Sequence, residues 1–373
     1  MSRLAWVMRP IFVALVGICL ISAVWGGLMR AGVMWPALYA PHWAPVAAGL
    51  HSALMLCGFF GTVIGVERAV AVKHPWAFGA PLASALGGVL LLNQQYAGAA
   101  DAFVLAAAVF LAVNTRIVWR QRALHTGVLW VSALVWLLAN LRFMFMGLSE
   151  TIFEAWFAFL VLTIAAERLE MARMTRLGPL AQTGLLLILG TLALGIILTP
   201  SHAPVGGLIY GAALVMLAAW LGVFDVARRT VHSHGLSRYM AVCLLSGYGW
   251  LAVSGLSWIA QAQGVQVRDA ALHALGLGFV MSMVMGHAPV ILPAVARVKL
   301  HFDARFYVPL AALHLSLLVR LGLGAFDPKW KALGSGLNAA ALALFVITVV
   351  SAAWAWRKRH GGAQPGRLSR RHS

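Results

Sequence analysis

Apolar stretches of about twenty residues recur along the whole 373-residue chain, and no segment between them is long enough to form a soluble domain. The hydrocarbon core of a bilayer is about 30 Å thick, and a helix crosses it with about 20 apolar residues. Lipid offers the backbone no hydrogen-bond partners, so the segments that cross it must be helices or closed barrels. We therefore predict an all-α polytopic membrane protein with twelve transmembrane helices, at about residues 11–29, 45–65, 78–94, 102–119, 126–145, 151–166, 179–199, 205–224, 239–260, 270–294, 304–323 and 334–354.

The basic residues indicate how these spans are oriented. With the N-terminus in the cytoplasm, all but six of the 28 Lys and Arg residues fall on the cytoplasmic side, as the positive-inside rule requires. The six exceptions are Arg30, Arg142, Arg268, Arg320, Lys329 and Lys331. One span more or fewer would reverse this bias downstream, so we predict an even number of spans with both termini cytoplasmic. The net charge of +18 then reflects topology and attraction to anionic lipid of the bilayer.

The same distribution bears on partners and on domain organisation. The basic residues are spread over short segments instead of being gathered on one domain, which argues against nucleic acid as a partner. We predict a single transmembrane domain over residues 1–355 and a basic, disordered cytoplasmic tail over residues 356–373. The three cysteines lie within apolar spans at spacings unlike those of metal ligands, which indicates free buried thiols.

Two intramembrane histidines are the first candidates for chemistry, because polar side chains in a bilayer are rare and usually functional. His51 is near the start of the second span and His273 is near the start of the tenth. Both spans run inward, so the imidazoles should lie roughly 9 Å and roughly 5 Å below the outer surface. If the two helices face each other, these residues can bind one haem iron as axial ligands. The glycines that follow both histidines would admit a porphyrin or simply allow close helix packing.

Four arginines at the outer face provide a second indication of haem. Arginine suits carboxylates through its planar fork, and haem carries two propionates that would lie near this surface. The four residues are Arg30, Arg142, Arg268 and Arg320. The alternative is that they reach lipid headgroups or pair with acidic residues of the same face, namely Glu150, Glu154, Asp269 and Asp327.

Three further features allow more than one interpretation. His287 lies 14 residues after His273, within 40° of the same face of an ideal helix and roughly 21 Å deeper. His287 and His314 would then share a second metal ion or haem, one of them would relay protons, or each would be a hydrogen-bonded structural residue. Glu150 and Glu154 stand four apart at the start of the sixth span, where they can bind a metal, admit protons or favour the helix N-terminus.

Short motifs resemble those of NnrS-type membrane proteins, relatives of the haem–copper oxidase and nitric oxide reductase superfamily. They are His51-Ser-Ala-Leu-Met55 with Gly58-Phe59, Ala139-Asn-Leu-x-Phe143, and Leu272-His-Ala-Leu275. The resemblance implies a haem–copper-oxidase-like helical bundle in the inner membrane of a bacterium. It also implies haem b bound by His51 and His273, a second site that can bind copper, and a function in electron transfer. It also implies a link to nitric oxide, denitrification or a respiratory complex.

Departures from that pattern limit the expected chemistry. Spans 151–166 and 179–199 contain no histidine, and the tenth span lacks a His-x-His pair, so a dinuclear oxygen-reducing centre is not expected. Two other classes fit the same residues. One is a transporter for a small anion or metal ion whose histidines and arginines line the path, and the other is an assembly factor for a respiratory complex.

Overall fold

The computed structural model describes residues 3–33, 41–172, 178–295 and 297–360, of which residues 3–9 and 172 are described for the backbone only. These ranges contain twelve long helices and no strand. The helices are α1 (Arg3–Arg30), α2 (His51–Val72), α3 (Gly79–Leu92), α4 (Tyr96–Arg120), α5 (Leu124–Met146), α6 (Phe153–Ala172), α7 (Pro179–Leu198), α8 (Ala203–Phe224), α9 (Gly235–Ala262), α10 (Arg268–Val295), α11 (Tyr307–Leu321) and α12 (Pro328–His360).

Eleven of these helices, with the 3₁₀ turns that flank α3 and α11 included, are long and apolar enough to cross a membrane, counted over the described residues. The helix outside that set is α6, which has a similar length but carries four charged residues. These are Glu154, Glu167, Arg168 and Glu170. Many large apolar side chains on the other helices point outward, as in a protein surrounded by lipid. The chain is therefore an all-helical, multi-pass membrane protein.

Most side chains of α6 are buried, because this helix lies at the centre of the bundle. Residues 154–166 are all buried, and α6 contacts α2, α5, α7, α8 and α10. Between its charged ends this helix is apolar on all sides, as is expected for such a central position. Around it, helices that follow each other in the chain pack as antiparallel neighbours, and α1 packs against both α3 and α12.

Several helix boundaries agree with the sequence, and one differs. The break between the predicted spans 78–94 and 102–119 falls between α3 and α4, where Gln94 has a φ of 60°. The predicted tail is wrong over its first residues, because α12 continues as a helix to His360. Aromatic contacts stabilise this extension, since Lys358 Nζ lies 5.4 Å from the ring centre of Trp354. Residues 361–373 of the predicted tail lie outside the described residues.

A segment of π-helix follows each of the two candidate histidines. In α2 it spans Leu54–Phe60, three residues after His51, and in α10 it spans Ala274–Val280, directly after His273. Each turn of π-helix holds more residues than a turn of α-helix. The side chains that follow the histidines are therefore rotated about the helix axis, relative to their directions in a continuous α-helix. Segments of this kind are frequent at functional sites.

Candidate cofactor site

His51 and His273 lie together between α2 and α10. Their ring centres are 6.4 Å apart, and the ring planes are inclined by only 20°. Both helices begin on the same side of the bundle, so the similar depth expected for the two rings is found. The residues thus form a pair contributed by helices that are more than 200 residues apart in the sequence.

The Nδ1 atom of each imidazole is held by a protein oxygen. His51 Nδ1 lies 2.6 Å from the carbonyl oxygen of Ala23, on α1. His273 Nδ1 lies 3.1 Å from the carbonyl oxygen of Asp269 and 3.1 Å from its carboxylate. A ring that donates from Nδ1 is neutral and presents a lone pair at Nε2, which is the form in which histidine binds metal. Both histidines are therefore prepared for ligation through Nε2.

A cavity of about 460 Å³ opens beside the two rings. Helices α1, α2, α6, α10, α11 and α12 contribute to its wall, together with the segment that leads into α6. Much of the wall is apolar and comes from leucine, methionine and phenylalanine side chains, such as those of Met55, Phe157 and Leu342. An apolar cavity of this size with a few convergent polar groups is typical of sites for a small organic ligand.

Basic side chains converge on the part of the cavity near the helix ends. The four that line it are Arg30, Arg268, Arg320 and Lys331. Two carboxylates oppose them. Arg320 donates to both oxygens of Asp269, from Nε at 3.0 Å and Nη2 at 2.9 Å, and Arg268 donates to Glu150 at 3.0 Å. Four cations against two carboxylates leave this end of the cavity positive, and so favourable for an anionic group.

Arg320 also lies against one of the histidines. Its Nη2 atom is 3.1 Å from Nε2 and 3.3 Å from Nδ1 of the His273 ring. A ligand that takes the Nε2 lone pair would displace this contact. Arg320 Nη2, the same atom that donates to Asp269, therefore occupies the Nε2 position of His273 and must move before a ligand binds there.

A glycine of α1 makes room for the other ring. A Cβ atom added to Gly27 would lie only 2.8 Å from Cε1 of His51. The glycines below His51 serve a different purpose. Gly58 faces Cys19 and Gly88, and Gly65 faces Pro81, so they allow α1 and α3 to approach α2. These glycines pack helices and do not line the cavity.

Arg142, the fourth predicted arginine, is not among the residues that line the cavity. Its Nη2 atom donates to Thr151 Oγ1 at 2.7 Å, across the connection between α5 and α6. The last turn of α5 thus directs this side chain toward the start of α6. Arg142 is therefore not one of the basic residues that converge on the cavity.

The second pair of histidines has separate partners. His287 accepts a hydrogen bond from Arg168 at 2.8 Å and bonds through Nδ1 to the carbonyl oxygen of Met283. His314 accepts one from Trp250 at 2.8 Å and lies 3.0 Å from Ser246 Oγ. Both nitrogens of each ring are engaged, and no group of three or more potential metal ligands occurs in the described part of the chain. The structure does not bring the two rings together in a shared metal site.

Some residues of the site were not predicted, although the sequence contains a signal for one of them. Asp269 stands four residues before His273 on one helical face, a spacing at which side chains meet, yet it was expected only as a partner for arginine. Lys331 was expected at the outer face but not in the site. Gly27 makes room for the His51 ring, and the carbonyl oxygen of Ala23 accepts its hydrogen bond. Both roles exist only because α1 packs against α2, which no sequence pattern indicates.

Comparisons with known proteins identify one match. The model of a family described as a domain of unknown function, DUF8744, matches residues 9–354. No curated protein and no solved structure matches the chain.

Proposed function

The chain belongs to the DUF8744 family, a domain of unknown function, and from its site we propose that it is a haem-binding electron-transfer protein of the membrane. His51 and His273 would hold the haem iron. Haem b supplies reversible one-electron chemistry when bound. The chain contributes the ligands, an apolar slot and the charges that hold the propionates.

The distance between the two imidazoles is the observation that carries this proposal. A metal ion lies about 2 Å from an imidazole nitrogen that binds it, and that nitrogen lies about 1 Å from the centre of its own ring. Two imidazoles bound to one ion from opposite sides therefore have ring centres about 6 Å apart. The observed separation is 6.4 Å.

The cavity matches the remaining parts of a haem. Its leucine, methionine and phenylalanine side chains suit an apolar macrocycle, and Arg30, Arg268 and Lys331 can receive carboxylates at the positive end. His51 and His273 would both hold the haem, which would supply reversible one-electron chemistry there. Electron transfer is therefore favoured over catalysis at the iron.

Topology and cellular context form part of the same proposal. We take α6 as a twelfth span, which places both termini in the cytoplasm and the cavity at the outer face of a bacterial inner membrane. The resemblance to NnrS-type proteins supports a role in nitric oxide or nitrogen-oxide metabolism. Copper is not part of the proposal, because His287 and His314 are both engaged with other side chains.

A visible spectrum tests the haem assignment directly. We expect the purified protein to show a haem b band in the reduced-minus-oxidised spectrum, at about one haem per chain. His51→Ala or His273→Ala should lose most of the haem, whereas His202→Ala, an exposed histidine before α8, should keep it. Wild-type haem content in the first two variants would refute the assignment. Addition of nitric oxide to the reduced protein then tests the proposed metabolic role.

The excess of cations in the cavity supports a second candidate, a site for a small anion on a transport path. In this case the protein would contain no haem after expression with sufficient haem supply. Binding of a small anion, measured by calorimetry, would then depend on Arg320 and Arg30. Haem at one equivalent per chain, retained in wild type and lost in the two histidine variants, excludes this alternative.

A further inference from the structure

The last turns of α12 carry basic and aromatic side chains at the end of the bundle opposite the cavity. Lys331, near the start of α12, lines the cavity, and the helix continues from there to His360. Its apolar stretch ends at about residue 354, and three basic residues follow at 357–359. Trp354 is 65% exposed at this boundary, and tryptophan is enriched at the level of the lipid headgroups. The end of α12 therefore lies where headgroups meet the protein.

The connection between α10 and α11 is fixed against these last turns. The backbone N–H of His301 donates to the carbonyl oxygen of Ala352 at 3.1 Å. The next residue, Phe302, packs its ring against that of Tyr239 on α9, with ring centres 5.4 Å apart. On the other side of His301, Leu300 packs against the hydrophobic core. The connection therefore presents its basic side chains at a defined position.

Two cations meet at this contact, one from each segment. Lys299 Nζ lies over the ring of Trp356, 5.0 Å from the ring centre. Arg359 donates from Nη1 to Nε2 of His301 at 2.7 Å. Trp356 and Arg359 are three residues apart on one helical face, and Lys299 and His301 are two residues apart in the connection. The two contacts therefore lie side by side, and the ammonium and guanidinium groups are neighbours.

No carboxylate neutralises these two cations within the described residues. The single acidic residue in 297–303 and 328–360 is Asp303, and its carboxylate is paired with Arg305 at 2.7 Å. The face of an indole ring attracts a cation without cancelling its charge, and an imidazole that accepts from arginine does not cancel it either. Lys299 and Arg359 are both exposed. They therefore form a positive site that an anion can reach.

The surroundings of the two cations identify the anion. Lysine and arginine are the residues that bind phosphate groups in proteins, and basic residues at a membrane surface attract anionic lipids. We propose that Lys299 and Arg359, positioned by Trp356 and His301, bind the phosphate of one anionic phospholipid whose acyl chains lie in the adjoining bilayer. This site lies at the opposite end of α12 from the cavity and does not depend on haem.

Lipid binding to the delipidated protein in a neutral detergent tests the site. Native mass spectrometry should show about one phosphatidylglycerol per chain, bound in preference to phosphatidylcholine. Lys299→Gln combined with Arg359→Gln should weaken this binding roughly 25-fold, about fivefold for each charge removed. The matched control is Arg228→Gln with Arg229→Gln, which removes two exposed charges from the connection between α8 and α9. Equal weakening in the two double variants would overturn the proposal, because only the overall charge would then matter.

A further variant retains every charge and tests the arrangement. Trp356→Leu removes the ring under Lys299, and we expect phosphatidylglycerol to bind about two- to fivefold more weakly. Binding as strong as in wild type would contradict the positioning of Lys299 by this ring.

Competition distinguishes the lipid from a soluble phosphate. Inorganic phosphate at the same concentration should leave the bound phosphatidylglycerol in place, because it has no acyl chains to lie against the protein. Displacement by inorganic phosphate would overturn the assignment to a lipid. None of these experiments measures haem, so failure here is distinct from failure of the proposed function.

Discussion

At the scale of single residues, the two candidate ligands are held differently. His51 bonds to a neutral backbone carbonyl of α1, whereas His273 bonds to a carbonyl and to the carboxylate of Asp269. A carboxylate behind a ligating histidine fixes the ring and makes it a stronger electron donor. Asp269 also joins His273 to Arg320, so one acidic side chain orients two members of the site.

Replacement of Asp269 by asparagine should raise the reduction potential of the bound haem. Asparagine keeps the size of the side chain but removes the negative charge that stabilises the oxidised, more positive iron. We expect an increase of about 60 mV, the shift that corresponds to a tenfold change in a one-electron equilibrium constant. A redox titration followed at the haem band measures it.

The control for this variant is Glu150→Gln, which removes a carboxylate that is paired with Arg268 and largely exposed. Solvent screens such a pair, so its effect on the potential should be smaller. Equal shifts in the two variants would mean that Asp269 acts only through the overall charge of the cavity and not through His273.

At the scale of helices, the sequence predicts well how deep a residue lies along its helix. It predicts poorly which way the side chain points around the helix axis. The similar depth of His51 and His273 followed from counting residues along two apolar spans, and the structure places the rings together. The partner of His287 was not predicted, and the ideal α-helix assumed for its position does not hold through Ala274–Val280, which is π-helical. There His287 bonds to Arg168 of α6. Hydrogen-bond patterns of this kind depend on tertiary contacts that a single sequence does not reveal.

The packing of α1 against α2 gives a prediction at this scale. Gly27→Ala places a methyl group 2.8 Å from the ring of His51, so the imidazole must move. We expect haem affinity to fall by about 10- to 100-fold, as is typical when a group that orients a metal ligand is disturbed. Haem transfer to a competing apoprotein measures the loss.

Gly17→Ala is the matched control on the same helix, because a Cβ atom there meets nothing within 4 Å. Alanine favours a helix over glycine by about 1 kcal/mol, so neither variant should unfold α1. Loss of haem in Gly27→Ala alone assigns the effect to the His51 contact. Equal haem content in both variants would contradict this role of Gly27.

At the scale of the whole molecule, the orientation of everything after α6 depends on whether α6 crosses the membrane. Its four charged residues separate it from the other eleven long helices of the described chain. Its 20 residues give a length of about 30 Å, which matches the hydrocarbon core. Charged residues near its two ends and apolar residues between them suit a span that contacts other helices instead of lipid.

Single reporter cysteines on either side of α6 decide between the two topologies. With twelve spans, a membrane-impermeant maleimide added outside intact cells should label His202→Cys, before α8, and should not label His234→Cys, before α9. If α6 does not cross the membrane, the reagent should label His234→Cys and should not label His202→Cys. Arg122→Cys, before α5, should stay unlabelled in either topology. The three native cysteines are buried and give little background. Labelling at position 202 alone would place the cavity and its basic residues on the outer side, where the proposed function requires them.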